Sequence, residues 1–138
     1  MTEEIIDFKY KRVMLIDDNE LDLFVSSTLL HLFKLANKIQ TQICAVTSIE
    51  QLKKQVKLHA RGAGVLPDVV IIDFNMLKRG GFRFLEEFHA VFPDETRRPK
   101  AVLMSSMLSP KDITRISAIS KEILVLEKPL NKETISLI

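Results

Sequence analysis

A single apolar run, residues 69–72, constrains the fold of this chain more than any other stretch. Its sequence, Val-Val-Ile-Ile, is apolar throughout, and no polar residue alternates with the apolar ones. That pattern is typical of a strand buried on both faces, as in the parallel sheet of an α/β protein. Asp73 follows directly, and open α/β sheets place their ligand sites at the carboxyl ends of strands. On this stretch alone, Asp73 is equally well explained as a turn residue.

Four other segments also have the composition of strands. They are residues 12–16, 39–46, 101–104 and 123–126, of which 39–46 is the weakest. Stretches with helical spacing separate all five runs. This alternation predicts an α/β fold in which a doubly wound, five-stranded parallel sheet carries helices on both faces.

Apolar residues repeat at helical spacing in the first two of these stretches. The spacing in residues 21–33 predicts a helix, and Asn37 and Lys38 interrupt this helical pattern. Residues 47–50 have the form of a capping box at the start of a second helix. The predicted apolar stripes are Leu21, Phe24, Val25, Thr28, Leu29, Leu32 and Phe33 in the first helix, and Ile49, Leu52, Val56 and Ala60 in the second.

Three more helices are predicted further along the chain. Gly81 stands at the opening of the third, which covers residues 82–92 and ends before Pro93. Ser109 is the predicted cap of the fourth, with Pro110 at the first helical position. Asn131 is the predicted cap of a short last helix of about two turns.

Composition narrows the class of protein. A chain of 138 residues is long enough for one domain, which we place at residues 1–138 with residues 1–11 as a lead-in. The formal net charge of +2 is too small to indicate nucleic acid binding. No apolar run approaches the roughly 20 residues of a membrane helix, and no secretory signal begins the chain. Cys44 is alone in an apolar context, which favours a small buried residue in a reducing, cytoplasmic setting.

Polar side chains of related chemistry follow four of the five predicted strands. Asp17 and Asp18 follow the first, Asp73 the third, Ser105 the fourth and Lys128 the fifth. The carboxyl ends of parallel strands share one edge of the sheet, so these residues are expected to converge. Clustered carboxylates repel each other unless a cation lies among them, and oxygen ligands without His or Cys suit Mg²⁺. A divalent cation, a hydroxyl group and a lysine are the groups that stabilise a phosphoryl group in transfer.

With these residues in place, the sequence resembles a response-regulator receiver domain, the phosphoacceptor of two-component signalling, either stand-alone or truncated. The resemblance extends from about residue 12 to the end, and it implies the flavodoxin-like strand order 2-1-3-4-5. The matching residues are Asp17, Asp18, Asp73, Asn75, Met76, Gly81, Ser105, Lys128 and Pro129.

The resemblance also implies a role for each site residue. Asp73 would accept a phosphoryl group from a phosphohistidine, and Ser105 and Lys128 would contact its oxygens. Mg²⁺ would be bound by Asp18, Asp73 and the main-chain carbonyl of Asn75, with Asp17 acting largely through water. The Lys128–Pro129 peptide bond would be cis.

Partners follow from the same resemblance. The donor would be a sensor histidine kinase or a histidine phosphotransfer protein, and the output protein is unknown. Nucleic acid and membranes are not expected to bind this domain. A homodimer is possible through the fourth helix, the fifth strand and the fifth helix, where we would inspect Ile113, Arg115, Ile119 and Lys121. Phosphotransfer and dephosphorylation would be self-catalysed, so the protein is a switch and not an enzyme.

Several positions depart from the family pattern. Leu77 stands in place of proline and Gly80 in place of a polar residue, and Lys78 and Arg79 make that loop basic. Ser106 replaces a small alanine. Val125 replaces the usual aromatic residue, which puts the usual output coupling in question.

Two alternatives therefore remain at this stage. One is an interaction module of the same fold that works without phosphorylation. The other is a Mg²⁺-dependent phosphohydrolase, which the adjacent acids and the absence of a cap segment disfavour.

Overall fold

A five-stranded parallel sheet forms the centre of the protein, in a computed structural model that describes residues 7–76 and 82–138. Its order is β2-β1-β3-β4-β5, which confirms the predicted doubly wound topology. The strands are β1 (Tyr10–Ile16), β2 (Ala36–Gln42), β3 (Val69–Asp73), β4 (Lys100–Ser105) and β5 (Leu124–Glu127). The longer helices are α1 (Glu20–Leu32), α2 (Ala45–Ala60), α3 (Arg83–Val91), α4 (Pro110–Ile119) and α5 (Lys132–Ser136).

Two apolar layers enclose the sheet, one on each face. Every residue of β3 is buried, and its side chains alternate between the two layers, so Val70 and Ile72 join one layer while Val69 and Ile71 join the other. The first layer is formed with α2, α3 and α4, and the second with α1 and α5. The unbroken apolar run of β3 is therefore explained by burial on both faces.

The buried face of α1 differs from the predicted stripe. Leu23 and Leu30 are the buried residues of this helix, whereas Leu21 and Phe24 are each 69% exposed. Val25 and Leu32 are exposed as well. The prediction was wrong because apolar residues occur around nearly the whole circumference of α1, so spacing alone cannot identify the side that packs on the sheet.

The boundary between β2 and α2 also differs from the prediction. β2 already begins at Ala36, so Asn37 and Lys38 lie inside the strand and do not precede it. α2 begins at Ala45, and its N-cap is Cys44, which is partly exposed. The predicted capping box is absent, because Thr47 lies inside the helix and its hydroxyl donates to the main-chain carbonyl of Cys44. A helix with no side-chain cap gives no local marker of where it begins.

The other predicted helix starts are confirmed. Ser109 and Asp112 form a reciprocal capping box at α4, with Pro110 in the first turn. Asn131 caps α5 and accepts a hydrogen bond from the main-chain N–H of Thr134.

Some predictions lie outside the described residues. They concern Leu77, Lys78, Arg79, Gly80, Gly81 and the first six residues of the lead-in. Among the described helices, none is both long enough and apolar enough to cross a lipid bilayer.

Candidate functional site

The polar residues singled out in the sequence meet at the carboxyl edge of the sheet. Ile16 of β1 pairs with Ile72 of β3, so Asp17 and Asp73 follow on adjacent strands at the same height. Ser105 ends β4, the next strand, and its main-chain carbonyl accepts a hydrogen bond from the N–H of Lys128. Parallel pairing thus brings four distant segments of the chain together.

Three carboxylates form the centre of this site. One oxygen from each of Asp17, Asp18 and Asp73 lies within 4.8 Å of the others. Asp17 is 1% exposed and Asp73 is 3% exposed, while Asp18 faces the solvent. Main-chain N–H groups orient the two buried carboxylates: Asn19 donates to Asp17 Oδ1 at 3.0 Å, and Asn75 donates to Asp73 Oδ1 at 3.1 Å.

Among the described residues, Lys128 is the cation that contacts these carboxylates. Its Nζ lies 3.2 Å from Asp73 Oδ1 and 3.4 Å from Asp17 Oδ2. Burial by itself lowers the pKa of Lys128, but the charges of Asp73 and Asp17 outweigh burial, and the pKa is raised from its ordinary value of 10.5. Lys128 is therefore a fixed positive charge between the two buried carboxylates.

Asp22 was not identified from the sequence as part of the site. Its Oδ2 lies 3.8 Å from Lys128 Nζ, on the side that faces α1. Asn19 caps α1 and accepts from the N–H of Asp22, which fixes Asp22 in the first turn beside the site. The sequence does contain a signal for it. Asn19, a residue type that often caps helices, directly follows the Asp17–Asp18 pair, and Asp22 is the acid three residues after this cap.

Among the described residues, the surroundings of Asp17 disfavour its negative charge. Burial raises the pKa of Asp17 above its ordinary value of 3.8, and the charges of Asp73 and Asp22 raise it further. The hydrogen bond from Asn19 and the charge of Lys128 lower the pKa, but they do not fully compensate. A divalent cation would supply the missing charge.

The donor set fits a hard divalent cation. All three candidate side chains offer carboxylate oxygens, two of them on the rigid ends of adjacent strands, and no His or Cys belongs to the cluster. Mg²⁺ prefers such oxygens and binds through one or two carboxylates together with water. The exposed position of Asp18 leaves the cluster open to solvent on one side.

Ser105 lies at the expected place in the fold, but its hydroxyl is engaged elsewhere. Its Oγ donates to the main-chain carbonyl of Met107 at 2.9 Å and accepts from the N–H of Met107 at 3.1 Å. The hydroxyl is thus bonded to the loop that precedes α4. Any contact of Ser105 with a group on Asp73 requires both bonds to break.

A groove opens beside the site between α1 and the β5–α5 connection. Its volume is about 250 Å³, and it is lined by Asp22, Val25, Ser26, Leu29, Met104, Lys128, Pro129 and Leu130. The Lys128–Pro129 peptide bond at its rim is cis, as the resemblance implied. Val25 lies in the wall of the groove, and Phe24 is an exposed apolar residue of the same helix.

Comparison with known proteins gives a consistent result at the level of structure. No protein-family model matches the sequence, and no curated protein matches it. A two-component response regulator from Cytophaga hutchinsonii superposes with a TM-score of 0.70 and 26% identity, covering 94% of this chain and 93% of that one. A response regulator receiver protein from Dyadobacter fermentans gives a TM-score of 0.72 at 26% identity, covering 92% and 94%.

A third structure carries ligands relevant to the acidic cluster. The receiver domain of the histidine kinase CKI1 from Arabidopsis thaliana, solved with Mg²⁺ and BeF₃⁻, has a TM-score of 0.76 at 16% identity and covers 92% of this chain and 88% of that one. That likeness concerns the fold. In strand order and in the arrangement of its edge residues, the chain has the fold of response-regulator receiver domains, and it is similar to the two bacterial regulators.

Proposed function

We propose that this receiver domain is a phosphoacceptor switch in which Asp73 takes a phosphoryl group from a phosphohistidine. One observation carries the proposal: three carboxylates cluster at one edge of the sheet, the two buried ones contact Lys128, and Ser105 ends the adjacent strand. Buried acids cost free energy when they are ionised. Their concentration at one strand edge is therefore better explained by chemistry than by folding.

Asp73 is the best candidate for the nucleophile. It ends the central strand β3, which is buried on both faces, so its main chain is held rigidly. A carboxylate oxygen of Asp73 would attack phosphorus and form an acyl phosphate. The P–N bond to the donor imidazole would break, and the nitrogen would keep the bonding electrons. Attack by water on the acyl phosphate would release phosphate and restore Asp73.

The cation site and the phosphate contacts complete the mechanism. Asp18, Asp73 and the main-chain carbonyl of Asn75 would hold Mg²⁺, with Asp17 acting largely through a bound water. When bound, Mg²⁺ neutralises charge on the phosphoryl oxygens. Lys128 would move from its present carboxylate partners to a phosphoryl oxygen, since its Nζ already lies 3.2 Å from Asp73.

Ser105 would supply the conformational response. Its hydroxyl would leave Met107 and donate to a phosphoryl oxygen, which would draw the loop before α4 toward the site. A dianionic group with new acceptor oxygens provides the energy for such a change. The surface formed by α4 and its neighbours would then differ between the two states.

The exposed apolar face of α1 supports a protein donor. Val25 lines the groove that reaches Lys128, and Leu21 and Phe24 are exposed on the same helix; exposed apolar side chains of this kind mark protein contacts. We propose that a sensor histidine kinase or a histidine phosphotransfer protein docks there, in the cytoplasm. An output protein, or a second copy of this chain, would bind through α4, β5 and α5.

The test is intact-mass measurement after incubation with acetyl phosphate, with and without Mg²⁺. The proposal predicts one phosphate adduct that requires Mg²⁺ and is absent from Asp73→Asn. A matched control is Asp112→Asn, because Asp112 caps α4 and lies outside the acidic cluster. If the folded wild-type protein forms no adduct, an interaction module that works without phosphorylation becomes the better explanation.

A further inference from the structure

We propose that Arg115 is a positioning residue that holds α4 in the unphosphorylated state by stacking on Phe82, and that phosphorylation of Asp73 releases this contact. The inference rests on the proposed function and extends it to regulation. The guanidinium carbon of Arg115 lies 3.9 Å from the centroid of the Phe82 ring. That is well inside the roughly 6 Å within which a cation is attracted to an aromatic face.

Few side chains of α4 are buried within the described part of the chain. Ile116 is its one buried residue among those described, and Ile119 is partly buried. Ile113, which shares the predicted apolar face, is 51% exposed. A helix anchored by so little buried apolar surface can shift at low cost in free energy. The stack of Arg115 on Phe82 is therefore a large part of what sets its position.

Phe82 connects this stack to the site. The Phe82 ring packs edge-on against Phe74, with centroids 5.7 Å apart. Phe74 is fully buried and follows Asp73 directly in the chain. The ring beneath Arg115 thus contacts the residue next to the proposed phosphoacceptor.

The other end of α4 is connected to the site through Ser105. The hydroxyl of Ser105 is bonded twice to Met107, and the loop continues to Pro110, the first residue of α4. If Ser105 turns toward Asp73, Met107 loses both bonds and the first turn of α4 is free to move. Arg115 lies five residues further on, about 7.5 Å along the helix axis. A displacement of more than about 2 Å away from the ring would take the guanidinium beyond the range of the cation–π attraction.

Two states of α4 follow from these contacts. In the resting state Ser105 binds Met107 and Arg115 covers Phe82. In the activated state Ser105 binds the phosphoryl group and the stack is broken. Because such coupling is reciprocal, weakening the stack must favour whatever binds the activated state.

The test measures how tightly Mg²⁺ and beryllofluoride, a mimic of the acyl phosphate, bind to Arg115→Gln and to the wild type. A contact worth about 0.5–1 kcal/mol at an exposed site predicts two- to fivefold tighter binding by the variant. Hydrogen exchange in residues 106–119 should also become faster in the unliganded variant. Lys111→Gln is the matched control, because it removes an exposed cation from the same helix without touching the ring.

Phe82→Leu is the second variant, since it removes the aromatic face while keeping an apolar side chain. It should give the same tightening, and adding Arg115→Gln to it should give little more. If Arg115→Gln binds beryllofluoride as the wild type does, or more weakly, the proposal is wrong. A wild-type protein that binds no beryllofluoride and forms no phosphate adduct would instead contradict the proposed function, and the coupling with it.

Discussion

Replacing Lys128 by methionine tests the electrostatic account of the site. Methionine keeps an unbranched side chain against Pro129 but removes the charge that lies 3.2 Å from Asp73 and 3.4 Å from Asp17. At an effective dielectric constant of about 20, each of these contacts corresponds to an attraction of about 5 kcal/mol. Removing them would leave two buried carboxylates that repel each other by at least about 3.5 kcal/mol, because their oxygens lie within 4.8 Å of each other.

The net loss is smaller than these gross attractions. Lys128 is 21% exposed, so water screens part of the interaction, and removing the ammonium group also removes the cost of its burial. Deleting one partner of a buried ion pair costs about 3–5 kcal/mol. After discounting for exposure, we expect the Mg²⁺-free variant to be about 2–4 kcal/mol less stable than the wild type at pH 7.

The assay is urea unfolding in a chelating buffer, with Lys132→Met as a control for an exposed lysine. Because the pKa of Lys128 is raised, its contribution to folding stability is fully present below its ordinary pKa of 10.5. This contribution is lost only as the pH rises through the raised pKa of the folded protein. At the acid end the loss caused by the substitution should shrink at pH values below the raised pKa of Asp17, where that carboxyl group is neutral. A loss below about 0.5 kcal/mol at pH 7, or an equal loss at pH 3, would refute the reasoning.

Three further predictions follow from burial and hydrogen bonding. Leu30→Ala should destabilise the protein by about 2–5 kcal/mol and Leu32→Ala by less than about 0.5 kcal/mol in urea unfolding, because Leu30 is 0% and Leu32 63% exposed on the same helix. Ser105→Ala should slow labelling by acetyl phosphate at least about tenfold in timed mass spectra, and it should speed hydrogen exchange at Met107, whose two bonds to the hydroxyl it removes. Burial raises the pKa of Asp17, so its neutral form stabilises the fold below about pH 3.8, and this contribution is lost as the pH rises through the raised pKa. In thermal melts without Mg²⁺, the melting temperature of Asp17→Asn should therefore be higher than that of the wild type at pH 7 and equal to it at pH 3. A lower melting temperature of the variant at pH 7 would contradict this prediction.

Most of the fold could be predicted because β3 leaves few choices. An uninterrupted apolar run needs cover on both faces, and the alternation with helices then implies a doubly wound sheet. The start of α4 could also be predicted from the sequence, because Ser109, Pro110 and Asp112 each favour a helix start through local interactions.

The buried side of α1 could not be predicted for a physical reason. Leu21 and Leu23 have the same side chain, yet Leu21 is exposed and Leu23 is buried. Which side packs on the sheet depends on tertiary contacts that no local spacing records. The exposed apolar side of α1 is also the side that we propose binds a protein. Apolar residues therefore serve both packing and protein binding in this helix, and the sequence pattern does not separate the two uses.

The candidate site was predictable to the extent that strand ends determine it. The convergence of Asp17, Asp73 and Lys128 follows from parallel pairing alone. Two features depend on details that pairing does not set. Asp22 reaches Lys128 because Asn19 caps α1. The hydroxyl of Ser105 bonds to Met107 because of the conformation of one loop.

The most direct test of the central claim identifies the carboxylate that carries the phosphoryl group. The protein is labelled with acetyl phosphate and Mg²⁺ and then treated with borohydride, which reduces an acyl phosphate to an alcohol and releases phosphate. Peptide mass spectrometry then locates the homoserine that replaces the modified aspartate. The account predicts homoserine at position 73 and at no other position. Homoserine at position 17 or 18, or none at all in a protein that gained phosphate, would contradict it.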